Sequence, residues 1–233
     1  MPPLVSSLVR FYQSSIGKKI IVAVSGLLLI GFLVVHMLGN LLVYAGPDAL
    51  NAYAKKLHDL GPLLWVARIG LLALAGVHIV ATIQLTRANR AARNRQYAVD
   101  TARKATRASR TMIISGLTIL AFVVYHILHY TACVGNSYGN PASKRYFLAD
   151  GSKNVYNMVV DGFSWFPASA FYIIAMALLF SHLSHGFASV FQTLGLTTPK
   201  SRALIESAGK GLALILFLGN ISMPIAILAG LVK

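Results

Sequence analysis

Four histidines, His36, His78, His126 and His182, stand one apiece in four long apolar stretches of the chain. An imidazole placed there is a costly polar group, and such a residue is a candidate for a functional site. Their spacing relates them to one another. His36 follows Lys19 by 17 residues and His126 follows Arg110 by 16, whereas His78 precedes Arg87 by 9 and His182 precedes Gln192 by 10. At about 1.5 Å of rise per helical residue, the first two lie roughly 25 Å from a basic boundary. With chain direction alternating from span to span, the other two share a level nearer that boundary. Two imidazoles facing each other at one depth supply the axial ligands of six-coordinate haem iron, one from each side of the porphyrin plane. Two levels would hold two haems. For any one histidine alone, a hydrogen-bonded packing role or a place in a proton relay is the competing reading.

The elements that must position these side chains follow from composition. Apolar residues make up 56% of the 233 positions and charged residues 12%, and the uninterrupted apolar runs exceed the roughly 20 residues that cross a bilayer. Spans are expected at about 19–44, 63–86, 111–133, 165–190 and 211–232, all helical because a lone span must satisfy its own backbone. The expected fold is thus an all-α integral membrane protein, one domain over 1–233, with four of its five transmembrane helices forming a haem-binding bundle.

A net charge of +15 invites a nucleic-acid reading, which the distribution opposes. Of 21 basic residues, 14 fall in three regions: Arg10, Lys18 and Lys19; Arg87, Arg90, Arg93, Arg95, Arg103, Lys104, Arg107 and Arg110; and Lys200, Arg202 and Lys210. These regions share one side if five spans alternate. The positive-inside rule then puts the N-terminus in the cytoplasm and Lys233 outside. The long basic loop serves as a topology determinant, or as a docking surface for a cytoplasmic partner or anionic membrane lipid. A cleaved signal peptide is not expected, since the first apolar segment far exceeds a signal core of about 7 to 15 residues. Cys133 is the single cysteine, which excludes a disulfide framework and covalent haem attachment. No glycine-rich phosphate loop is present, which argues against a nucleotide-driven pump.

An internal repeat supports the outer pairing. Residues 25–40, SGLLLIGFLVVHMLGN, align without gaps on 115–130, SGLTILAFVVYHILHY, so Ser25, Gly26 and His36 recur as Ser115, Gly116 and His126. The first and third spans read as parallel repeats about an axis along the membrane normal, which sets His36 opposite His126. Each Ser-Gly pair lies about three turns before its histidine, near the inner level. Its glycine would admit a macrocycle edge and its serine would bond a propionate or the backbone; close helix packing by small residues is the equal alternative. Arg87 and Arg90 are further candidates for the inner propionates. His129 and His185, three residues beyond two of the proposed ligands, could replace them, meet a propionate or reach the interface. His58 beside Asp59, in the first outer loop, is either an ordinary solvated pair or part of a proton-exchanging quinone site.

Around the four histidines the stretches FLVVHMLGN, LALAGVHIV, SGLTILAFVVYHI and SHLSHG resemble the five-helix, di-haem cytochrome b membrane anchors of succinate dehydrogenases and fumarate reductases. The resemblance covers four of five spans. It implies a flavoprotein and an iron-sulfur subunit bound on the cytoplasmic side of a bacterial inner membrane, with succinate oxidised on a partner subunit. It further implies two b haems, the proximal one held by His78 and His182 and the distal one by His36 and His126, and a membrane quinone, expected to be menaquinone. Some members place an acidic side chain near the distal haem; here the outer loops hold Asp48, Asp59, Asp150 and Asp161, of which Asp59 with His58 is the expected quinone-site pair. Two other classes compete. Another di-haem b cytochrome of quinol-oxidising type would often carry two ligands on each of two helices, a pattern this chain lacks. A histidine-dependent transporter or proton channel would want carboxylates or broken helices at mid-membrane, which are nearly absent.

Overall fold

The computed structural model of the chain describes residues 3–91 and 107–233. Within them run α1 (Pro3–Gln13), α2 (Ser15–Asn40), α3 (Pro47–His58), α4 (Pro62–Ala91), α5 (Arg107–His126), α6 (Val155–Ser164), α7 (Phe166–Thr193) and α8 (Arg202–Leu228). A 3-10 turn, Leu41–Ala45, prolongs α2, and a π turn, Ile127–Thr131, prolongs α5. The only bridge pairing among the described residues joins Phe147 and Lys153, so the fold is all-α. Five helices are long and apolar enough to cross a membrane: Ser15–Ala45, Pro62–Ala91, Met112–Thr131, Phe166–Thr193 and Arg202–Leu228. Arg93, Arg95, Arg103 and Lys104 of the basic loop lie outside the described residues.

Helix starts carry local signals. Ser14 caps α2 by accepting a hydrogen bond from the Gly17 amide at 2.9 Å. Asn154 caps α6 in the same way through Asn157 N at 3.1 Å, and prolines occupy the first turn of α3 and α7. The span ends reach beyond the apolar runs. α8 begins at Arg202 rather than 211, and α5 at Arg107, because hydropathy reports where a helix is apolar, not where its hydrogen bonds begin. The segment expected as a long outer loop, 134–164, contains α6, whose Met158, Val159, Val160 and Phe163 are buried.

Two helix pairs form the frame. α4 packs on α2, α7 packs on α5, α2 joins the two pairs by packing on α7, and α8 covers α7. In the buried seam lie Ala175 and Ala213, each 1% exposed, and Ser169, whose hydroxyl donates to the Phe163 carbonyl at 2.6 Å. Small residues there let the backbones approach, the usual basis of helix association in lipid. Gly219 is one of them, since a Cβ would collide with the Met37 sulfur. Outward faces carry Leu28, Val35, Val66, Ile69, Ile114 and Ile215, all more than half exposed, as a lipid-facing belt requires.

The two ends differ. At one, Tyr12 of α1 donates to Gln84 Oε1 near the end of α4 at 3.1 Å, which gathers Arg10, Lys18, Lys19, Arg87 and Arg90. At the other, Asn51 Nδ2 donates to Asn154 Oδ1 at 3.1 Å, and Tyr156 donates to the Lys233 carbonyl at 3.0 Å. Those bonds tie α3, α6 and the C-terminal residue into one cap at the end opposite the basic one.

Candidate functional site

Each inner histidine is held by the membrane span before its own, His78 by α2 and His182 by α5. His78 of α4 sits over Ser25 and Gly26 of α2, its Nδ1 3.0 Å from the serine hydroxyl, and His182 of α7 sits over Ser115 and Gly116 of α5, its Nδ1 3.1 Å from that hydroxyl. Both serines spend their own proton locally: Ser25 donates to the Ile21 carbonyl at 2.6 Å and Ser115 to the Met112 carbonyl at 3.1 Å. A hydroxyl that has given away its one proton can only accept from the imidazole. Each ring therefore carries its proton on Nδ1 and presents an unprotonated Nε2, the tautomer a metal ligand needs. The glycines make the approach possible, because a Cβ on Gly26 would stand 3.2 Å from Cε1 of His78, and one on Gly116 3.5 Å from Cε1 of His182.

The outer histidines meet directly. The rings of His36 and His126 stand edge to face with centroids 5.7 Å apart. Phe32 stacks on His36 at 5.2 Å, and Phe122 lies 5.9 Å from His126. Nδ1 of His126 is 3.1 Å from the buried hydroxyl of Tyr172, which is also 3.4 Å from Nδ1 of His129. Asn40 Nδ2 donates to the His36 carbonyl at 2.7 Å, securing the turn that carries His36.

Several features of this arrangement fit haem. His36 and His126 would hold a haem as two imidazole donors from neighbouring helices, a donor type that haem iron accepts. α2 with α5, which bear the outer pair, and α4 with α7, which bear the inner histidines, are not among the closely packed helix pairs. Among the described residues no three of His, Cys, Asp and Glu come together as a metal-holding group.

Other expected residues fall elsewhere. Arg87 and Arg90 are exposed at the last turns of α4, 9 and 12 residues past His78. His58 and Asp59 are exposed at the end of α3, where Lys55 pairs with Asp59 at 3.4 Å, both side chains more than half exposed. A cavity of about 390 Å³ opens instead at the capped end beyond His126, lined by Tyr125, His129, Asn136, Tyr138, Gly162 and Trp165 among others. Asn136 Nδ2 bonds the His129 carbonyl at 3.0 Å, and burial pushes the Tyr138 hydroxyl up to about 12, with Tyr146 and Asp161 adding to it. The cap is clamped by Arg145, which pairs with Asp161 through both carboxylate oxygens, and by Tyr146, which donates to Asp161 at 2.8 Å.

Sequence reasoning missed Tyr172 and this cavity. One signal was present: Tyr172 precedes His182 by ten residues, much as Ser25 and Ser115 precede His36 and His126 by eleven, so each of these helices carries a hydroxyl three turns before its histidine. Compared with family models, curated proteins and solved structures, the chain gives no match.

Proposed function

We propose that the chain is the membrane anchor and di-haem cytochrome b subunit of a succinate:quinone oxidoreductase. The observation that carries this reading is the direct meeting of the His36 and His126 rings, together with the hydroxyls of Ser25, Ser115 and Tyr172 at Nδ1 of His78, His182 and His126. His78 with His182 would hold the proximal haem b and His36 with His126 the distal one. Haem b bound there supplies a one-electron carrier at each level. Ser25 and Ser115 fix the inner imidazoles in the ligating tautomer, and Tyr172 orients His126. Arg87 and Arg90, with the rest of the basic end, face a flavoprotein and an iron-sulfur subunit, whose acidic surfaces that charge would favour. The basic end is cytoplasmic on the positive-inside rule, in a bacterial inner membrane, with Lys233 outside.

Electrons would pass between the iron-sulfur subunit and a membrane quinone, menaquinone by the family resemblance. The cavity beside His129 suits a quinone ring better than the exposed His58 and Asp59, because it combines aromatic walls with a few polar atoms. Succinate added to membranes containing the chain should reduce its b haem, and should fail to do so once the soluble subunits are stripped off. Haem that responds to quinol but never to succinate would assign the chain to another quinol-oxidising b cytochrome.

A further inference from the structure

Tyr172 lies at the meeting of two features that the haem reading alone does not relate, the outer imidazole pair and the cavity. Its side chain is 7% exposed. Phe122 at 4.9 Å and Phe163 at 5.0 Å stand edge-on to its ring, with Tyr125 and Tyr130 about 6 Å away. This aromatic enclosure holds the ring in one orientation, with the hydroxyl between Nδ1 of His126 at 3.1 Å and Nδ1 of His129 at 3.4 Å.

The backbone supports the same arrangement. Immediately after His126 the helix widens into the π turn, with Ala132 N bonded to the Ile127 carbonyl at 2.8 Å. Such turns are rare and recur at functional sites. His129 lies within this turn. One face of His129 then stacks on Tyr130 at 4.1 Å, and the residue lines the cavity.

Proton ownership gives the arrangement a direction. Were His126 Nε2 to hold a haem, the ring's proton would sit on Nδ1 and be donated to the Tyr172 oxygen. The tyrosine has one proton, and the remaining acceptor is His129 Nδ1. Nε2–H of His129 is left as a donor for whatever occupies the cavity. The inner sites have no such continuation, because Ser25 and Ser115 end on carbonyls of their own helices. Among the described residues no hydrogen bond reaches the His36 ring, so His126 is the outer imidazole joined to the cavity.

We infer that Tyr172 is a positioning residue that couples the cavity to His126 through His129, so that a quinone ring bound beside His129 alters the hydrogen bonding of the distal haem ligand. This rests on the function proposed above. The ligand enters as a carbonyl oxygen accepting from His129 Nε2–H between aromatic walls, and its effect on His126 is transmitted by two hydrogen bonds.

The test uses the oxidised, haem-loaded protein in detergent, with menadione as the probe. Electron paramagnetic resonance reads the two ferric haems separately, and equilibrium dialysis reads menadione binding. In the wild type, saturating menadione should shift the outer haem signal and leave the inner one in place. Tyr172→Phe should keep both haems, bind menadione within about threefold of wild type, and lose the shift. Should Tyr172→Phe shed the outer haem, His129→Gln at saturating menadione decides: a lost shift supports the coupling and a retained one overturns it. A wild-type shift that survives in Tyr172→Phe, or menadione bound with no shift at all, would also overturn it. Absence of b haem from the wild type would instead overturn the proposed function.

Discussion

The Ser25 hydroxyl stands 3.0 Å from Nδ1 of His78 while donating to the Ile21 carbonyl of its own helix. That geometry makes the serine an acceptor from the imidazole and raises the ring's basicity toward a metal. Replacing Ser25 or Ser115 by alanine removes the acceptor and weakens the donor strength of His78 or His182. Each variant should keep its haem and show a raised inner midpoint potential with the outer one unmoved. Potentiometric titration followed at the b-type absorbance checks this, and a lowered inner potential would count against it.

Gly26 and Gly116 make a ranked pair. A methyl group on Gly26 would stand 3.2 Å from the His78 ring, so the ring must give way, whereas 3.5 Å at Gly116 is ordinary contact. Gly26→Ala should lower haem content more than Gly116→Ala, by roughly 10-fold in affinity if the shift upsets ligand orientation. Haem retained per chain through gel filtration measures both, and the opposite order would contradict the placement of His78.

Tyr130 presents a buried hydroxyl with no hydrogen-bond partner among the described residues, pressed against Gly162. An unsatisfied buried hydroxyl costs about 1–3 kcal/mol. Tyr130→Phe should therefore leave the thermal midpoint in detergent unchanged or raise it. Gly162→Ala, which forces a methyl group into the same hydroxyl, should destabilise by about 1–3 kcal/mol. A large loss in Tyr130→Phe would mean that the hydroxyl is used.

Asp161 is held below the ordinary carboxylate range, first by hydrogen bonds from Arg145 and then by Tyr146. A depressed folded-state value stabilises the cap above the unfolded carboxylate's value of about 3.9, and that stabilisation is lost as pH falls through the depressed value. Asp161→Asn should lower the thermal midpoint at pH 7, and its deficit should shrink as pH falls below about 4. A deficit independent of pH would show that the carboxylate's charge is not what clamps the loop.

The legible part of the structure was what apolarity and spacing encode. Five spans emerged because lipid demands long apolar helices; α5 and α8 start earlier than their apolar runs, at Arg107 and Arg202, while the third and fifth spans end short of 133 and 232, at Thr131 and Leu228. The proximity of His36 and His126 followed from equal depth and the repeat at 25–40 and 115–130. α3 and α6 were not legible, since their burial comes from folding the cap onto itself rather than from any run of hydropathy. The π turn after His126 leaves no residue signature, and neither does the cavity that His129 lines. Tyr172 looked like one more aromatic in an apolar helix, because only the fold shows which two histidines its hydroxyl meets.

The central claim, that four imidazoles in two facing pairs hold two b haems, is tested most directly by haem quantification on the purified chain with its dithionite-reduced visible spectrum. The account predicts b-type bands and about two haems per chain, falling to about one in His126→Ala with loss confined to the outer haem. A chain purified in folded form with no b-type absorbance, or a His126→Ala variant that keeps both haems, would contradict it.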